Sequence, residues 1–268
     1  MRAYQAQRSK RPHGAARASA ALFRSGGQTP PGKQAVMGRF TPSYYAPPVD
    51  HLLTYGKGHS IPPECWPNYL ALGLGPEHIP DLIRMATDAA LQWTASDRLE
   101  VWAPLHAWRA LGQLRAEAAV EPLLSLFDHL DESDWVLEEL PEVFGLIGRA
   151  ALPALAAYLA DGSHEVEAHL CAIPSIEQIG KRWPEARPAC VGCLMEHLER
   201  CAEQDPEVNG FLVTGLVDLH AIEAAPLIER AFAARRVDPC VIGDWEEVQV
   251  VLGLPAPSLL REELSRPV

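Results

Sequence analysis

A proline opens an apolar run five times along this chain, at Pro80, Pro122, Pro153, Pro188 and Pro226, at intervals of 42, 31, 35 and 38 residues. Proline has no N–H to donate and a φ fixed near about −65°, so it suits the first turn of a helix and disrupts later ones. The segments Ile79-Pro80-Asp81-Leu82-Ile83, Glu121-Pro122-Leu123-Leu124, Leu152-Pro153-Ala154-Leu155, Arg187-Pro188-Ala189-Cys190-Val191 and Ala225-Pro226-Leu227-Ile228 therefore read as five helix starts. Four of them follow a stretch whose apolar residues recur three or four apart. These are Val101, Leu105, Trp108, Leu111; Val136, Leu140, Val143, Ile147; Leu170, Ile173, Ile176, Ile179; and Leu212, Leu216, Leu219. That period marks an amphipathic helix. Gly112, Gly148 and Gly180 read as helix stops, and Asp97 with Glu100, or Asp205-Pro206-Glu207, as helix starts.

One helical hairpin cannot cover both of its apolar faces, but hairpins stacked side by side can. The expected fold is all-α, an α-solenoid of about five stacked helical hairpins with atypical end caps. No run alternates at period two for long, so strands are not expected. The chain divides into a basic tail over 1–40, a proline-rich N-terminal cap over 41–66, the solenoid over 67–254 and a C-terminal tail over 255–268. Short helices are expected over 49–55, 244–254 and 258–264.

Ala110-Leu111-Gly112-Gln113-Leu114 followed by Ala119-Val120-Glu121-Pro122-Leu123-Leu124 resembles the HEAT-like repeat of the phycobilin-lyase type. So does Phe144-Gly145-Leu146-Ile147-Gly148 followed by Ala151-Leu152-Pro153-Ala154-Leu155. The resemblance covers about residues 65–237 and is strongest in these two central repeats. It implies an armadillo-type helical fold. Proteins of this kind include scaffolds, a few lyases and DNA-repair glycosylases. The chain is most similar to the bacterial HEAT-repeat proteins to which no activity is attached.

Hydrophobic residues make up 48% of the chain and charged residues 22%, which fits a globular core. No apolar run reaches the roughly 18 residues that a membrane span needs. The net charge of −12 is unevenly spread. The first forty residues hold eight basic and no acidic side chains, leaving 15 basic against 35 acidic residues, a net −20, for the rest. Such a body repels phosphate backbones, so nucleic acid is an unfavoured partner and a basic protein or peptide a favoured one. The six cysteines form no dense framework and no apolar leader opens the chain, so a reducing, cytoplasmic setting is expected. For residues 1–36 three readings stand: a flexible tail, a stretch preceding a true start at Met37, or an organellar presequence.

Cys190, Cys193, His197 and Cys201 fall at i, i+3, i+7 and i+11 of one helix. A rise of about 1.5 Å per residue spreads them over roughly 16 Å, too far for one zinc ion. They read as a core stripe, and neither a metal nor a cofactor is expected. Acidic residues crowd 128–142, but no glycine falls between 113 and 144 to make a calcium loop, so a solvated face or an acidic docking patch is expected. Gly56-Lys57-Gly58-His59-Ser60 lacks the spacer of a phosphate loop and reads as a linker, as does Gly73-Leu74-Gly75. Aromatic and arginine side chains favour interfaces, so Trp102, His106, Arg109, Asp131, Asp134, Trp135 and Glu138 are the candidate partner-binding residues, while core packing is the first reading of the cluster Trp102, His106, Trp108 and Arg109. No catalytic set emerges. The expected function is a non-enzymatic protein–protein interaction scaffold. The resemblance leaves a phycobilin-lyase-like enzyme and a DNA-repair glycosylase as alternatives. Trp102, Trp108, Trp135 and Asp134 supply the residue types for the glycosylase, and the charge opposes it.

Overall fold

The computed structural model describes residues 44–58, 61–92, 98–132 and 135–255, without the side chains of residues 92 and 129–132. Among the described residues every regular element is helical, as expected, and no strand occurs. The main helices are α1 (Ile79–Ala86), α2 (Ala103–Gln113), α3 (Val120–Leu124), α4 (Trp135–Ile147) and α5 (Leu152–Ala160). They continue with α6 (Val166–Arg182), α7 (Arg187–Leu198), α8 (Pro206–Asp218), α9 (Ala225–Ala233) and α10 (Trp245–Leu252).

The prolines act as read. Pro80, Pro153, Pro188 and Pro226 take the second position of α1, α5, α7 and α9, and Pro122 the third of α3. Before α3, α5 and α9 the chain turns through a left-handed residue: Arg115 at φ 49°, Gly148 at 85° and His220 at 52°. A single 3₁₀ turn then leads into each helix, over Glu117–Ala119, Arg149–Ala151 and Ile222–Ala224. Asp205 caps α8 by accepting from the Glu207 N–H, and Asp244 and Glu247 cap α10 reciprocally.

Two sets of contacts order the helices. In the first, α1 packs on α2, α2 on α4, α4 on α6 and α6 on α8. In the second, α3 touches α5, α5 touches α7 and α7 touches α9. The sets meet where α5 lies on α6 and where α7 lies on both α6 and α8. The axis of α4 and that of the following Arg149–Ala160 segment turn by 110°. Four of the five proline-led helices belong to the second set, whereas α1 joins the first.

Gly112 and Gly180 do not stop their helices. With Gly145 and Gly215 they lie inside α2, α6, α4 and α8, at intervals of 33, 35 and 35 residues. A Cβ on Gly145 would come within 2.9 Å of Gln178 on α6, and one on Gly180 within 2.7 Å of Leu219. Gly145 thus marks a close approach of α4 to α6, while a Cβ on Gly112 or Gly215 would stand 3.1 Å from Leu146 or Leu194. Pro141 and Pro174 lie within α4 and α6, where the apolar period runs on unbroken.

The segment over 44–78 forms 3₁₀ turns at Val49–Thr54, Pro63–Cys65, Tyr69–Leu72 and Pro76–His78. The first stands where a short helix is expected; the prolines here deny the chain the N–H groups a longer helix needs. The expected helix over 258–264 lies outside the described residues. No single helix among the described residues is long and apolar enough to cross a membrane.

Candidate functional site

The candidate binding residues separate into an inside group and a surface group. Arg109 has no exposed surface and His106 is 3% exposed. Arg109 forks onto Glu139 of α4, with Nε donating to Oε2 at 2.8 Å and Nη2 to Oε1 at 2.6 Å. Nη2 also donates to the Gly58 carbonyl at 2.8 Å, and the guanidinium lies 4.5 Å from the centre of the Trp66 ring. One turn earlier, His106 Nε2 donates to the Gly56 carbonyl at 2.8 Å. A carbonyl can only accept, so Nδ1 is the bare nitrogen and receives the Tyr69 hydroxyl at 2.7 Å. Burial lowers the His106 pKa and raises that of Tyr69 to about 12, so both are neutral. The 56–58 segment is therefore a wedge, not the expected linker. Gly56 takes φ 69°, and a Cβ on Gly58 would meet His106 at 2.7 Å.

Trp102, on the 3₁₀ turn just before α2, meets Trp135 at the start of α4 with ring centres 5.1 Å apart, both partly exposed. Glu138 is exposed beside them on α4. Asp134 and the side chain of Asp131 lie outside the described residues. The acidic stretch is not uniformly solvated. Glu139 is buried, and Asp128 Oδ1 takes the Tyr158 hydroxyl at 2.7 Å and lies 3.0 Å from His164 Nδ1.

A second location was not among the candidates. Between α5 and α7 runs an open groove of about 750 Å³. Its walls are Leu152, Pro153, Ala156 and Ala160 on one side and Ala189, Cys193 and the buried His197 on the other, with Glu196, Glu199 and Arg200 exposed along the rim. Ala156 and Ala160 are one helical turn apart, as are Ala189 and Cys193, so small side chains line up on the facing helices and leave a trough. Those pairs are the signal that was available in the sequence. Cys190 and His197 are buried as a core stripe requires, while Cys193 and Cys201 are partly exposed.

Burial pushes the Cys193 thiol up to about 12. Burial, then the neighbouring Arg200, brings His197 down to about 4. Arg200 donates to His197 Nδ1 at 2.8 Å, which holds that nitrogen unprotonated. A thiol and an imidazole both neutral at pH 7 do not make an activated nucleophile and base. The groove offers shape and an acid-bearing rim.

Comparison with protein-family models, with curated proteins and with solved structures gives no match to this chain.

Proposed function

We propose that the chain is a HEAT-like helical-repeat scaffold that holds a basic segment of a partner protein in the groove between α5 and α7. The groove carries this reading: its floor is apolar and made of small residues, and Glu196 and Glu199 stand exposed on its rim. Long-range electrostatics agree, because residues 41–268 carry 15 basic and 35 acidic side chains. The repeat reading draws support from two independent rhythms. Prolines recur every 31–42 residues at helix starts, and glycines every 33–35 residues inside the helices of the first contact set.

The test is fluorescence anisotropy with a panel of labelled amphipathic peptides bearing lysine and arginine, at low and high salt. Filling the trough with Ala156→Trp should weaken binding by at least about tenfold, which is about 1.4 kcal/mol. Glu196→Lys combined with Glu199→Lys should weaken it and flatten its salt dependence. Peptides that bind both variants as they bind the parent would overturn the proposal.

A further inference from the structure

A second cavity, of about 320 Å³, opens where three helices of the first contact set end. Gln113 is the last residue of α2, Leu146 the last but one of α4, and Arg182 the last of α6. The cap supplies the opposite wall through Pro63, Glu64 and Trp66, and Glu142 of α4 completes it. The volume lies at the lower end of the roughly 300–1,000 Å³ found for ligand sites, where a few polar groups orient a molecule against apolar walls.

The polar groups here divide sharply into satisfied and unsatisfied. Gln113 is engaged by the segment that precedes α1, accepting from the Tyr69 N–H at 2.9 Å and donating to the Pro67 carbonyl at 2.8 Å. The Trp66 indole N–H is used as well, on the Ile61 carbonyl at 2.9 Å. Glu142 and Arg182 are not. Glu142 is half-buried and Arg182 exposed, and among the described residues no hydrogen bond or ion pair joins them to each other or to another side chain. Burial of Glu142 raises its pKa, with Arg182 and then Lys181 opposing and Glu139 and Glu64 adding to the rise. An unpaired half-buried carboxylate costs free energy that a bound cation would return. The three helix ends add to the attraction, since their last carbonyls carry partial negative charge.

We infer that this cavity is a binding site for a small zwitterion of the α-amino-acid class with an apolar side chain. Its ammonium meets Glu142, its carboxylate meets the Arg182 guanidinium, and its side chain lies against Trp66, Leu146 and Pro63. Glu142 and Arg182 both line this one cavity without pairing, and a molecule bearing both opposite charges a few atoms apart meets both at once. The site does not depend on the α5–α7 groove, so peptide binding there stands or falls separately.

Calorimetric titration of the full chain with L-leucine and L-phenylalanine tests the inference, with 3-methylbutylamine and 4-methylpentanoate as probes lacking one charge. The amino acids should bind at least about tenfold tighter than either single-charge probe. Glu142→Gln should weaken leucine by about tenfold and leave 4-methylpentanoate unchanged. Arg182→Met should weaken leucine while leaving 3-methylbutylamine unchanged. Far-UV circular dichroism confirms that each variant is folded. Failure of both amino acids to bind the parent protein at about 10 mM would overturn the inference, as would equal binding by the single-charge probes or by the two variants.

Discussion

Arg109 carries a permanent charge with no exposed surface, and Glu139 answers it through two hydrogen bonds at 2.8 and 2.6 Å. Removing one partner of such a pair leaves the other charge buried and alone, which costs about 3–5 kcal/mol. Glu139→Gln should lower stability by about that amount in urea unfolding, and the double variant Arg109→Met with Glu139→Leu should recover much of it. A double variant no better than the single one would show that the pair's hydrogen bonds to the cap dominate instead. The sequence placed His106 and Arg109 on one helix and read their cluster first as core packing, but without the partners that bury them. What buries them comes from far away: Gly56 and Gly58 lie about fifty residues upstream and Glu139 thirty downstream. Neither spacing has a local signature.

At the scale of elements, helix starts were legible and helix ends less so. A proline states its position through its own missing N–H, so Pro153, Pro188 and Pro226 announce α5, α7 and α9 directly. A glycine speaks for either of two causes. Gly148 ends α4 by adopting φ 85°, while Gly112 and Gly180 lie within helices because another helix passes over them. Only the neighbouring chain separates the cases. The groove between α5 and α7 was missed for the same reason: alanines at one-turn spacing read as ordinary helix formers until two such rows face each other. Gly145 tests the close-approach account. Its absent side chain leaves 2.9 Å to Gln178, so Gly145→Val should overpack the α4–α6 contact and cost about 1–3 kcal/mol despite valine's better place in a helix than glycine's. A stabilised variant in thermal melting would contradict it.

For the molecule as a whole, buried histidines should govern the response to acid. His197 titrates near 4 in the folded chain against an ordinary 6.5, and burial lowers His106 and His169 as well. As pH falls from about 6.5 to about 4 the unfolded chain takes up these protons first, so stability declines across that window. His197 alone contributes on the order of 3 kcal/mol to the loss. Glu142 and Glu207, whose pKa values burial raises, act in the opposite sense and gain as pH falls. Urea midpoints from pH 7 to pH 4 should fall steadily, and His197→Gln should make the slope shallower. An unchanged slope in that variant would remove His197 from the account.

The wedge at residues 56–58 also bears on how the chain meets a protease. Lys57 is exposed, yet Gly56 and Gly58 on either side of it are buried, and their carbonyls are held by His106 and Arg109. A digestive enzyme must draw several residues on each side of the cut into its cleft. Trypsin should therefore nick this visible lysine only as often as the whole cap lets go, and the rate of that cut becomes a clock for the cap's opening.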